Sequence, residues 1–150
     1  MNEIEIASAG IDDPGWLQRC RRFAAKVLKA RGINRWELSI LITDDPTIRE
    51  LNRRYREVDS ATDVLSFSQR FAEGQLNARS MYQPVGDIVI SLDTMARNAG
   101  ERRISEEEEL KRLLIHGILH LEGMDHPDEQ SEMIRTQESI LTRLKKEKLF

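Results

Sequence analysis

A chain of 150 residues, 39% hydrophobic and 33% charged, is long enough for one hydrophobic core without disulfide staples. Its formal net charge of −3 excludes a generic nucleic-acid binder, so any RNA contact must rest on a local basic patch. The single cysteine, Cys20, excludes an intrachain disulfide and a thiolate metal cluster, and its place in a helical pattern makes it a buried small hydrophobe. The start, M-N-E-I-E-I-A-S-A-G, lacks the basic end and apolar stretch of a signal peptide. No run approaches the ~18 apolar residues of a membrane span, so a cytoplasmic protein without a membrane partner is expected.

Residues 2–8 alternate apolar and polar through Ile4 and Ile6, the period of a short strand. Over 14–31, Trp16, Leu17, Cys20, Phe23, Ala24, Val27 and Leu28 recur at three and four, the period of a helix that Gly32 stops. Residues 35–43 read as a second, mostly buried strand. Asp44 and Asp45 then cap a helix with Pro46 at its first position; its apolar face is Ile48, Leu51 and Tyr55, and it ends near Arg56. Residues 62–68 read as a third strand, 69–84 as a loop or distorted hairpin holding Gly74, Asn77 and Pro84, and 86–92 as a fourth strand. A short helix over about 93–99 ends at Gly100.

Ser105 opens a capping box with Glu108. Glu106 to Glu109 put negative charge on the first turn, where the helix dipole favours it, and a solvated acidic start accounts for the run. This helix buries Leu110, Leu113, Leu114, Ile118 and Leu121. A last helix over about 128–146 turns Met133, Ile134, Gln137, Ile140, Leu141 and Leu144 inward, and Lys145, Lys146 and Lys148 read as a solvated basic end. The strand and helix order predicts a single-domain α/β layer fold over 1–150. Helices would pack a mixed sheet of about four strands, and the helix that carries the histidines would lie against that sheet.

All three histidines fall in one window, H-G-I-L-H-L-E-G-M-D-H, from His116 to His126. On a helix, His116 and His120 stand one turn apart on one face, at the flank of the apolar stripe, where a cleft can open. Gly123 is placed to end the helix in a left-handed conformation, so that His126 swings back toward the first two. A histidine pair is often a polar flank, and a histidine after a glycine turn is often a cap. Three in this spacing favour a metal site instead: three neutral imidazoles hold a zinc-type ion and leave its fourth position open, as catalytic sites do. Other divalent transition metals also suit imidazole. The spacing H-x-x-x-H-x-x-G-x-x-H matches metzincin metalloproteases, but Gly117 stands where their glutamate base would be, which argues against proteolysis. Asp125 has three readings: it caps the turn, orients a ligand, or accepts a proton from metal-bound water, the first two being the more ordinary.

Arg49, Arg53 and Arg56 share one helical face, and the spacing pairs Arg54 with Glu50. Arginine faces are usually just solvated. Arg56 differs in lying at the helix end beside T-D-V-L-S-F, where a guanidinium fork can take phosphate oxygens. Asp63 and Asp87 each begin an apolar strand; each reads first as a strand-end cap, and otherwise as an acceptor that orients a metal-ligating histidine.

Four stretches, L-N-R-R-Y-R (51–56), T-D-V-L-S-F (62–67), G-D-I-V-I-S (86–91) and the histidine window, together resemble the YbeY family of bacterial rRNA maturation endoribonucleases. The resemblance covers nearly the whole chain. It implies an α/β fold, one zinc ion on His116, His120 and His126, and a functional arginine at Arg56. It implies single-strand-selective RNA cleavage in 16S rRNA 3′-end maturation and quality control of the small ribosomal subunit. Precursor 16S rRNA would be the substrate, with ribosomal proteins or an assembly GTPase as partners. The family often has glycine after the arginine, where this chain has Glu57, a negative charge near the phosphate site. Two competing readings are a zinc-containing ribosome-assembly binding factor and a metalloprotease with an unusual base.

Overall fold

The structure, a computed structural model, describes residues 1–69, 81–125 and 131–150. In chain order it contains β1 (Glu3–Ser8), α1 (Leu17–Ala30), β2 (Trp36–Thr43), α2 (Asp45–Arg56), β3 (Val64–Ser68) and β4 (Gln83–Ser91). These are followed by α3 (Leu92–Arg102), α4 (Glu106–Leu121) and α5 (Glu132–Arg143). The strands form one sheet in the order β1-β2-β4-β3. β1, β2 and β4 run parallel, and β3 pairs antiparallel with β4. This is the mixed α/β sheet that the sequence predicts. No helix among the described residues is long and apolar enough to cross a membrane.

One face of the sheet carries Ile4, Leu38, Ile40, Ile42, Ile88 and Ile90 into the main core, where Phe23 and Val27 of α1 and Leu114 and Ile118 of α4 meet them. On the other face, Ile48 of α2 packs with Leu65 and Val89. α4 is mostly buried, and its run from Leu113 to Ile115 is walled in on three successive positions. A helix held this way gives fixed positions to the side chains at its flank, among them His116 and His120, which are half-buried. Cys20 is fully buried, and burial pushes its thiol up to about 12.

The caps explain most element boundaries. Asp44 accepts the Thr47 N–H at the start of α2, and Pro46 follows as the second helical residue. Asp45 does not cap that helix: its carboxylate takes bonds from Ser91, Thr94 and Arg97 at the start of α3. Ser105 accepts the Glu108 N–H at 3.0 Å, while the Glu108 carboxylate turns to Arg112, so the capping box is only half formed.

Four expectations are corrected. β4 begins at Gln83, inside the segment read as a loop; a register shift at Glu37/Leu38 absorbs Val85. The rest of that segment, 70–80, lies outside the described residues, as does the start of the last predicted helix at 128–130. α3 runs through Gly100 to Arg102, because the Ser91 cap and the buried Met95 and Ala99 outweigh the ~1 kcal/mol that a helical glycine costs. The acidic start of α4 is not simply solvated. Glu109 is fully buried between Arg102 and Arg112, and Glu107 accepts the N–H groups of Leu149 and Phe150. Burial outweighs the two guanidiniums and holds the Glu109 carboxyl above its ordinary pKa. The apolar face of α2 is also narrower than expected: Tyr55 is 62% exposed, and Asn52 is the buried residue one turn from Ile48. At the basic end the three lysines are exposed as expected, while Leu149 is fully buried and the Phe150 ring lies 5.0 Å from that of Trp16.

Glu57 sits at the left-handed residue after α2, with φ 59. Glycine adopts that conformation without steric cost, whereas glutamate is strained there. Glu57→Gly is therefore expected to stabilise the protein by about 1 kcal/mol, a rise of about 2–4 °C in a thermal melt.

Candidate metal and phosphate site

α4, α5, β3 and the end of α2 enclose a cleft of about 740 Å³. His116 and His120 line it from α4, Gln137 from α5, Ser66 from β3 and Arg56 from α2. The two imidazoles meet edge to face, with ring centroids 4.6 Å apart and Nε2 atoms 3.1 Å apart.

The far nitrogen of each ring fixes its proton. His120 Nδ1 lies 3.1 Å from the Met124 carbonyl oxygen, which can only accept. That carbonyl arrives because Gly123, at φ 102, turns the chain back and the Met124 N–H closes on the Leu119 carbonyl. His116 Nδ1 lies 2.7 Å from Gln137 Oε1. The amide is oriented by its own nitrogen, which donates to the Glu138 carboxylate at 3.2 Å, so oxygen is the atom that faces His116. In the neutral form of each ring these acceptors place the proton on Nδ1 and turn the Nε2 lone pair toward the other ring.

At that distance the two nitrogens either share a proton or ligate one cation. A tetrahedral zinc-type ion at its usual bond lengths places two imidazole nitrogens ~3.3 Å apart, close to the separation found. The donors are neutral nitrogens, which suit zinc and equally nickel, cobalt or copper. Among the described residues no group of three side chains converges to hold a metal. The third predicted ligand, His126, lies outside them. Asp125 is described; it is exposed and is not among the residues lining the cleft.

The arginine face of α2 divides. Arg49 makes a two-pronged pair with Asp59, Arg53 takes Glu50, and Arg54 reaches the same Glu50 at 3.7 Å; all are exposed. Only Arg56 lines the cleft. Its Nη2 donates to the Ser66 carbonyl at 2.8 Å, and its guanidinium lies 5.6 Å from the Phe67 ring centroid. Ser66 in turn reaches the Gly117 carbonyl with its hydroxyl, so β3 ties the arginine to the histidine helix. Arg102 and Arg112 also line the cleft, but they are paired with Glu109 and Glu138. Arg56 is the one cleft arginine with no carboxylate partner among the described residues, and four of its five N–H donors remain to be used.

Among the described residues neither strand aspartate bonds a histidine. Asp63 accepts from its neighbour Val64 N–H and from Asn98, which makes it the strand-end cap. Asp87 accepts from Gln69 on the opposite face of the sheet, where burial raises its pKa. The orienting acceptors are Gln137 and the Met124 carbonyl. The sequence did carry a signal for the first: Gln137 is a polar residue in an apolar stripe, and it is buried.

A family model described as Endoribonuclease YbeY matches residues 3–145. The chain belongs to the YbeY endoribonuclease family. Endoribonuclease YbeY of Treponema denticola is 44% identical, with 99% of this chain and 97% of that protein covered. Its counterpart in Aquifex aeolicus is 44% identical, with 85% and 83% covered. The solution structure of a Thermotoga maritima protein matches at a TM-score of 0.63 and 26% identity, covering 96% of this YbeY-family chain and 89% of that one.

Proposed function

We propose that this YbeY-family protein is a metal-dependent endoribonuclease that cleaves single-stranded RNA. Its substrate would be the 3′ end of precursor 16S rRNA, and its role maturation and quality control of the small ribosomal subunit. Family membership supports the RNA-cleaving activity. The observation that carries the metal reading is the approach of the two Nε2 atoms, 3.1 Å apart, in a cleft shared with Arg56. His116, His120 and His126 would hold one zinc-type ion. When bound, such an ion supplies Lewis acidity and makes hydroxide available near neutral pH.

The chain's own groups bind and orient the RNA. Arg56 grips nonbridging phosphate oxygens and stabilises the charge that gathers on them as water attacks. Gln137 and the Met124 carbonyl hold the two imidazoles in place. Asp125, next to His126, is the candidate to take the proton from the attacking water. Among the described residues Arg102 and Arg112 of the cleft lining are paired with Glu109 and Glu138, so the basic patch is essentially Arg56, a small one in a chain of net charge −3. RNA binding is accordingly modest and salt-sensitive, with ribosomal proteins or an assembly GTPase as the expected recruiting partners.

The test is cleavage of a precursor 16S rRNA 3′-end fragment by metal-quantified protein. Removing a charged donor of this kind typically raises the barrier by about 2.7–4 kcal/mol, so Arg56→Ala should lower turnover by roughly 10²–10³-fold. Binding of the same fragment should weaken far less. Unchanged turnover, with RNA still bound, would remove Arg56 from the site.

A further inference from the structure

Gln137 sets the orientation of His116, and an ion pair between two helices sets the orientation of Gln137. Arg112 on α4 grips Glu138 on α5 with two bonds of 3.0 Å, from Nε to Oε2 and from Nη2 to Oε1. Glu138 Oε2 accepts the Gln137 amide N–H at 3.2 Å, and Gln137 Oε1 accepts from His116 Nδ1 at 2.7 Å. Arg112 is held from behind by Glu109 and, more distantly, Glu108. Its side chain is only 15% exposed and that of Glu109 is fully buried, so the fork sits where charge-assisted bonds are strong and has one orientation.

An amide has two ends. Rotated by half a turn, Gln137 would offer its NH2 group to His116 Nδ1, which would then have to accept. The neutral imidazole would carry its proton on Nε2 and lose the lone pair that faces the cleft. The Glu138 carboxylate forbids this rotation, because it would bring the amide oxygen against a carboxylate oxygen. We propose that Arg112 and Glu138 are positioning residues for His116. Through Gln137 they hold the imidazole proton on Nδ1 and so keep it off Nε2, the nitrogen that faces His120. The consequence for metal affinity rests on the metal reading above; the consequence for the tautomer belongs to the chain alone.

Two measurements on the same four proteins test it. These are wild type, Gln137→Met, Glu138→Leu and the exchange Gln137→Glu/Glu138→Gln, in which the new carboxylate accepts from His116 and from the new amide. Zinc affinity is measured by competition with a chromophoric chelator. Gln137→Met should weaken it by about 10–100-fold, Glu138→Leu by less, and the exchange should restore most of the loss. Long-range 1H–15N NMR of the metal-stripped proteins, at about pH 8 where imidazole is neutral, reads the tautomer directly. His116 should be Nδ1–H in wild type and in the exchange, and should shift toward Nε2–H in both single variants. A merely structural ion pair would lower the melting temperature of Glu138→Leu without moving the tautomer. An Nε2–H wild type, or a tautomer unmoved in Glu138→Leu, would overturn the proposal. A wild type with the expected tautomer but no zinc affinity would uphold the positioning role and sink the metal reading instead.

Discussion

His116→Ala is expected to cleave the 16S fragment at about one-thousandth of the wild-type rate or less, while melting within a few degrees of it. Metal-ion catalysis is worth several kcal/mol of barrier, and each ~1.4 kcal/mol is a factor of ten. The fold should barely notice, because His116 is half-buried at the flank of α4 while its neighbours Leu114, Ile115 and Ile118 are fully buried in the core. A chelator should act the same way on wild type, stopping cleavage and leaving most of the melting transition in place. If the chelator unfolds the protein, the metal is structural and the ribosome-assembly binding factor becomes the better reading. If His116→Ala cleaves as well as wild type, the activity belongs to a contaminating nuclease.

Gly117→Glu recreates the metalloprotease sequence H-E-x-x-H and should give an unfolded protein rather than a peptidase. A Cβ at Gly117 would lie 2.9 Å from both Ile88 Cδ1 and Ile88 Cγ2, so this residue faces the sheet. Glycine is what lets α4 approach β4 closely. Gly117→Ala should cost roughly 1–2 kcal/mol, overpacking of about 1–3 kcal/mol being partly offset by better helix propensity. Glutamate adds a buried, unpaired charge worth several kcal/mol more, a large share of the ~5–15 kcal/mol that holds a domain together. Thermal melts of the two variants, beside a casein digest with wild type, check this. Soluble, folded Gly117→Glu would contradict the packing argument, and casein digestion by wild type would revive the protease.

Signals that are local in sequence predict this fold well. Asp44 and Ser105 cap the helices they precede, the apolar periods of α1 and α4 match their buried faces, and Gly123 ends α4 in a left-handed turn. The histidine pair is legible because a spacing of four on a helix fixes its geometry. What was not legible depends on partners distant in the chain. Arg56 is set apart in sequence by its place at the helix end, but the pairing of Arg49 with Asp59, at the far side of a turn, is not legible there. Glu107 and Glu109 read as solvated because their partners at the C-terminus and on α3 are invisible to a local pattern. Pro84 argued for a loop, yet among the described residues β4 is flanked there only by β2, so a residue without an N–H is tolerated.

The cleft wall has one more property. β3 is the last strand of the sheet, so its outer backbone groups have no strand neighbour among the described residues. Such a margin invites another chain to add itself, and proteins commonly guard it with charge. Here the Ser66 carbonyl on that margin is taken by Arg56, and the Val64 N–H by the Asp63 carboxylate. The arginine proposed to grip phosphate is therefore also a guard against unwanted strand pairing. Its replacement by alanine should leave a sheet edge that is stickier in concentrated solution, a change in self-association that light scattering would register apart from any loss of turnover.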